Sequence, residues 1–252
     1  MKKTFAAGFL TIAVSVPFHA SADTVLGGYI GAQVWDMGVE GGFAESENLA
    51  TFGFEDQTNN SFYAALEHPI PLVPNIKLAR TTLDTEGATS LSSSFSFGGE
   101  VFAVDTILDS VNDITAIDYI LYYEVLDNDL VSVDVGVNVK ELDGDFVVTD
   151  TSSTRSASDS FNGFVPMGYG RAAVGIPGTG IGAYVEGSFL SIDDNSIVDY
   201  QVALTYSFIE TLALDLTVQA GYRSLELDIE DIDDIYADLQ FDGAFVGVEF
   251  DF

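Results

Sequence analysis

The chain has 252 residues, and 40 Asp and Glu against 8 Lys and Arg give it a formal charge of −32, which excludes nucleic acid as a partner and suits cations better than anions. Cysteine is absent, so small disulfide-stapled scaffolds are excluded too. Although 47% of the residues are hydrophobic, no window beyond the N-terminal leader holds ~18 uninterrupted apolar residues, so the apolar surface is not organised as membrane helices.

Residues 1–22 read as a secretory signal peptide. Lys2 and Lys3 form its basic start, Phe5 to Val16 its apolar stretch, and Ala20-Ser21-Ala22 its small-residue cleavage site. The apolar stretch is shorter than the ~20 residues of a span, so the expected mature domain is 23–252, beginning near Asp23.

From there the dominant pattern is period-two alternation, which puts successive side chains on opposite faces of a strand. The first strands are expected at Leu26 to Trp35, Ser61 to His68 and Asn75 to Leu83, with a loop from Met37 to Asn59 after the first. The second and third are joined by Pro69-Ile70-Pro71-Leu72-Val73-Pro74, whose prolines cannot sit inside a sheet. A second long loop, Asp84 to Asp113, has room for a local hairpin within Ser90 to Leu108.

The alternation is then cleaner. Ile117, Tyr119, Leu121, Tyr123 and Val125 oppose Asp118, Ile120, Tyr122 and Glu124, and Asp127-Asn128-Asp129 turns the chain into a strand with valine at each odd position from Val131 to Val139. A loop at Val148 to Ser160 precedes a glycine-rich strand, Phe164 to Ile176, and Pro177-Gly178-Thr179-Gly180 turns it into Ile181 to Phe189. A short turn at Asp193-Asp194-Asn195 leads to Asp199 to Phe208, and Glu210-Thr211 is expected as a two-residue hairpin before Leu212 to Arg223. An acidic loop, Asp228 to Ile235, precedes the last strand, Tyr236 to Phe252, with a bulge expected near Gly243.

The count is about ten strands, within a range of eight to twelve. The fold class is therefore all-β: a transmembrane antiparallel up-and-down β-barrel, porin-like in kind, with short turns at one end and longer loops at the other. Tyr119, Tyr123, Tyr200, Tyr206, Phe208, Tyr222, Phe250 and Phe252 fall on the lipid faces as aromatic girdles would.

The alternating C-terminus, with Phe250 and Phe252 at its end, resembles the signal by which barrel insertion machinery recognises outer-membrane proteins. Gly31-Ala32-Gln33-Val34-Trp35-Asp36, Asn60 to Pro69, Pro74-Asn75-Ile76-Lys77-Leu78, and Ile117-Asp118-Tyr119 through Leu142-Asp143-Gly144 are similar to stretches of a family of uncharacterised proteobacterial outer-membrane β-barrel proteins. The resemblance implies a Gram-negative cell outer membrane location, with outer-membrane lipids, lipopolysaccharide and the insertion machinery as partners. It implies no active site.

Chemistry has little to work with. His68 is the one histidine of the mature chain, beside Pro69 at a strand end, and reads as a turn or interface residue rather than the base of an outer-membrane hydrolase. Zinc lacks its usual nitrogen and sulfur ligands. Asp228, Glu230, Asp231, Asp233 and Asp234, with Asp193 and Asp194 on the neighbouring hairpin, are weak calcium candidates without EF-hand spacing, so divalent cations are candidate partners and no cofactor is expected.

The interior faces hold Glu67, Asp118, Glu124, Asp134, Glu186, Asp199, Asp215, Glu249 and Asp251 against Lys77, Lys140, Arg171 and Arg223. Two readings follow: a hydrogen-bonded network that plugs the lumen of a structural or surface-interacting barrel, or a narrow cation-preferring conduit for small solutes. About eight strands leave room only for side chains or one small ligand, and interior Tyr29, Trp35, Tyr63, Tyr122, Tyr169 and Tyr184 narrow ten, so the plugged or very narrow lumen is the reading adopted.

Overall fold

The computed structural model describes residues 26–252 except 47, 129, 193–194, 211–213 and 233–234, and of residues 209, 210, 231, 232 and 235 the backbone alone. The leader 1–22, Asp193, Asp194, Asp233, Asp234 and the side chain of Asp231 therefore lie outside the described residues.

Among the described residues fifteen strands are formed: β1 (Gly27–Ala44), β2 (Ala50–Thr51), β3 (Gly53–Phe54), β4 (Gln57–Glu67), β5 (Asn75–Thr82), β6 (Thr85–Ser90), β7 (Phe95–Phe97), β8 (Glu100–Phe102), β9 (Ile107–Asp127), β10 (Val131–Asp150), β11 (Ser156–Ile176), β12 (Ile181–Ile192), β13 (Asn195–Glu210), β14 (Asp215–Ile232) and β15 (Ile235–Asp251). Ten of them make a closed antiparallel barrel in the order β1, β4, β5, β9, β10, β11, β12, β13, β14, β15. The first and last strands close it, from Tyr29 opposite Asp251 to Ala44 opposite Tyr236. In the half nearer the short turns closure leaves no sheet edge, so the backbone N–H and C=O groups that would meet lipid are paired.

The shorter strands finish the long-loop end. β6 continues the wall beside β9, β2 and β3 pair with β1 and β6, and β7 and β8 form a separate hairpin inside the expected Ser90 to Leu108 segment.

Strand length decides how the barrel sits. A bilayer needs ~9–11 tilted residues per strand, whereas β9 and β11 have 21 residues and β10 has 20. Side-chain chemistry divides each strand in two. On β10 Val135, Val137 and Val139 are exposed on the outer face, and the same face continues as Glu141, Asp143 and Asp145 while Leu142, Phe146 and Val148 are buried inside. On β14 exposed Val218 and Tyr222 give way to Glu226 and Asp228, with Leu225 and Leu227 inside. β15 does the same, from Val246, Val248 and Phe250 outside to Asp238 outside with Leu239 and Phe241 inside. The half nearer the short turns is thus oily outside, and the half nearer the loops is acidic outside and apolar inside.

This inversion corrects several expectations. Met37 to Asn59, Asp84 to Asp113, Val148 to Ser160 and Asp228 to Ile235 are in large part strand, because β1, β9, β10, β11 and β14 run on into the loop-end half. Acidic residues facing out there look like loop only if the apolar face is expected outside throughout. No bulge occurs at Gly243, which pairs in register with Met37 and Arg223; what changes near it is the chemistry of the two faces. Register shifts fall instead at Val133/Asp134, Ser207/Ile209 and Ile229/Ile232. Glu210 pairs with Asp215, so Glu210 belongs to β13 rather than to a two-residue hairpin with Thr211, and Leu214 precedes β14.

Candidate functional site in the barrel lumen

The centre of the barrel is filled by charge. Lys77 on β5 donates to Glu186 of β12 at 2.5 Å. Lys140 of β10, with no exposed side-chain surface, meets Asp118 at 2.7 Å and Asp199 at 2.9 Å. Asp199 also receives a two-pronged contact from Arg223, Nε at 3.0 Å and Nη2 at 2.8 Å, while Arg223 Nη1 donates to Thr81. Arg171 lies 3.7 Å from Asp134.

These four cations face four carboxylates, so the layer is formally neutral. Buried ions keep their charge only when paired and hydrogen-bonded, and the strands supply both. Asp118 accepts from Asn138 at 2.6 Å, and Glu186 from Tyr169 at 3.1 Å and Gln201 at 3.3 Å. Aromatic faces take the remaining cation contacts: Lys77 over Tyr63 at 4.9 Å, Arg171 over Tyr184 at 5.3 Å and Arg223 over Trp35 at 5.1 Å. A second net links Gln219 to Tyr63 and Tyr184, and Tyr63 to Glu249 at 2.7 Å. The cavity left here is about 50 Å³, lined by Gln33, Lys77, Asp118, Glu186, Asp199 and Arg223 among others, which is room for a few waters.

Towards the short turns further carboxylates gather. Glu67 accepts from Tyr122 at 2.6 Å and Glu124 from Asn75 at 3.2 Å; Asp215 and Asp251 pair in register at the strand ends. This mouth is acidic. His68 stands at its rim with both ring nitrogens occupied by backbone, Nδ1 accepting from the Ile70 N–H and Nε2 facing the Pro74 carbonyl, each at 3.2 Å.

Towards the loops aromatic rings pack against one another inside the barrel. Phe43 lies 4.9 Å from Phe52, 5.3 Å from Phe97 and 4.8 Å from Phe146, centroid to centroid. Phe95, Phe97 and Phe102 come from the β7–β8 hairpin, which turns inward and is fixed at the rim by Gly98 N–H on Glu45 and by Arg155 on the Val101 carbonyl at 2.6 Å. Arg155 therefore points at the hairpin, with Glu100 at 3.8 Å.

Sequence reasoning missed this aromatic layer, whose signal was the phenylalanine spacing of Phe95, Phe97 and Phe102 inside a segment taken as loop. Of the calcium candidates, Asp228 and Glu230 sit on the outer face of β14, and among the described residues no cluster of three or more His, Asp or Glu is arranged to hold a metal.

No family model matches this chain, and no curated protein matches it, so the resemblance to uncharacterised outer-membrane barrels has no family assignment behind it. Among solved structures it is similar to the transport unit of the autotransporter AIDA-I from Escherichia coli, at 7% identity and a TM-score of 0.41, over 94% of this chain and 93% of that one. It is also similar to a Pseudomonas aeruginosa FadL homologue (9% identity, TM-score 0.35, 90% of each chain). A third likeness is to the Pseudomonas putida toluene transporter TodX (6% identity, TM-score 0.29, 90% of this chain and 89% of that).

Proposed function

We propose that this chain is an integral outer-membrane barrel with a closed lumen, non-catalytic and non-conducting, whose working surface is the acidic collar it raises above the membrane. The observation that carries the reading is the filled interior: a neutral layer of paired charges and, above it, an aromatic layer completed by the hairpin. In this reading the short turns lie in the periplasm and the loop-end half projects outward, where its carboxylates explain the net charge. His68, bonded to backbone through both ring nitrogens, serves the turn and not a reaction.

A conduit would need both layers to part. The test is solute efflux from proteoliposomes: barrels shown to be folded by their heat-dependent gel mobility should leave entrapped glycine, lysine and arabinose in place. Efflux of lysine faster than of glycine or arabinose would replace this reading with a cation-preferring passage.

A further inference from the structure

One turn does not match the aqueous surroundings expected of its end of the barrel. Residues 68–74 link β4 to β5, and within them Ile70, Leu72 and Val73 are exposed, Leu72 to 91%. Leu72 also holds a left-handed backbone, φ 69°, unusual for a side chain that is not glycine. The turn is nevertheless firmly built. Pro69, Pro71 and Pro74 restrict it, the His68 N–H donates to Asn75 Oδ1 at 3.1 Å, and the His68 ring bridges Ile70 and Pro74. The Ile70 N–H can only donate and the Pro74 carbonyl can only accept, so the ring is the neutral tautomer with its proton on Nε2.

Its direction is set by Tyr123. That side chain lies on the outer face of β9 beside Leu121, and its hydroxyl donates to the Leu72 carbonyl at 2.9 Å. The turn therefore leans outward over the lower edge of the oily belt rather than across the lumen mouth, and it continues the apolar surface of Leu66, Ile76 and Leu121. The Pro177–Gly180 turn at the same end carries no large apolar side chain.

We propose that the Ile70–Val73 segment is a foot inserted into the phospholipid leaflet around the short-turn end, with acyl chains as its occupant and the His68 ring as the clamp that holds its shape. This rests on the transmembrane reading of the belt. Rigid exposed apolar groups continuous with a lipid face lose contact with water by entering that lipid.

The absence of cysteine makes single-site labelling clean. Leu72→Cys, Val202→Cys in the belt and Ser152→Cys at the loop end would each carry an environment-sensitive fluorophore in refolded barrels, in phospholipid vesicles with spin labels at shallow or deep acyl positions. The label at 72 should emit to the blue of that at 152 and lose about half its intensity to the shallow quencher, as a group ~5–10 Å below the surface should. A label at 72 that behaves like that at 152, while that at 202 is quenched by the deep probe, overturns the foot and leaves the barrel reading standing. Failure of quenching at 202 as well overturns the membrane reading itself, and the foot with it.

Discussion

Lys140→Met is the perturbation that reads the central charge layer most sharply. The ammonium is fully buried between Asp118 and Asp199, and removing one partner from a buried ion pair costs about 3–5 kcal/mol because the other charge is left in a low dielectric. Here the lower end applies. Asp199 keeps both prongs of Arg223 and Asp118 keeps the Asn138 amide, so neither carboxylate is left bare. About 3 kcal/mol is roughly a hundredfold in the folding equilibrium. Urea unfolding in detergent micelles, followed by the fluorescence of Trp35 beside Arg223, measures it. Adding Asp118→Asn removes one of the two carboxylates Lys140 had faced and should return about 1 kcal/mol. A cost for Lys140→Met below ~0.5 kcal/mol, the scale of an exposed pair, would mean that the layer is bathed in water and the packing argument fails.

Phe43→Ala, which empties the centre of the aromatic layer, should cost about 3–5 kcal/mol in the same assay, whereas Leu204→Ala on the lipid face should cost far less. Gly41 has φ +121° and an added Cβ would meet the Asp238 carbonyl, so Gly41→Ala should lower the unfolding midpoint while Gly163→Ala, with open space around it, leaves the midpoint in place. Asp150, in the turn before β11, is held down to about 2 by hydrogen bonds from the Ser153 and Ser152 hydroxyls and the Ser152 N–H. A depressed carboxylate stabilises the turn above its ordinary range near ~4, and that contribution fades as pH falls from ~4 to ~2. Ser153→Ala should move the NMR titration of Asp150 upward.

Much of this architecture was legible because alternation is a local signal. Valines at each odd position from Val131 to Val139 allow one orientation only, and the lumen positions of Lys77, Lys140, Glu186 and Asp199 follow from the same parity. What was not legible depends on a boundary along the strand. Parity is conserved from Val139 to Val147 but its meaning changes, since Glu141, Asp143 and Asp145 take over the outer face where lipid ends. Nothing in a two-residue repeat marks that height. The hairpin was visible as a possibility within Ser90 to Leu108, but its inward fold depends on Phe43 and Phe146, distant in sequence and brought together by barrel closure. The pairing of charges across the lumen is likewise a property of the closed ring: Lys77 and Glu186 are 109 residues apart.

The central claim is a closed lumen, and single-channel recording of the purified, refolded barrel in a planar bilayer tests it most directly, at neutral and acidic pH, with and without calcium. The account predicts no reproducible unit current from barrels whose gel mobility shows that they are folded. Stable, cation-selective steps, weakened by Asp134→Asn or Asp215→Asn, would contradict it and make the interior carboxylates the lining of a channel.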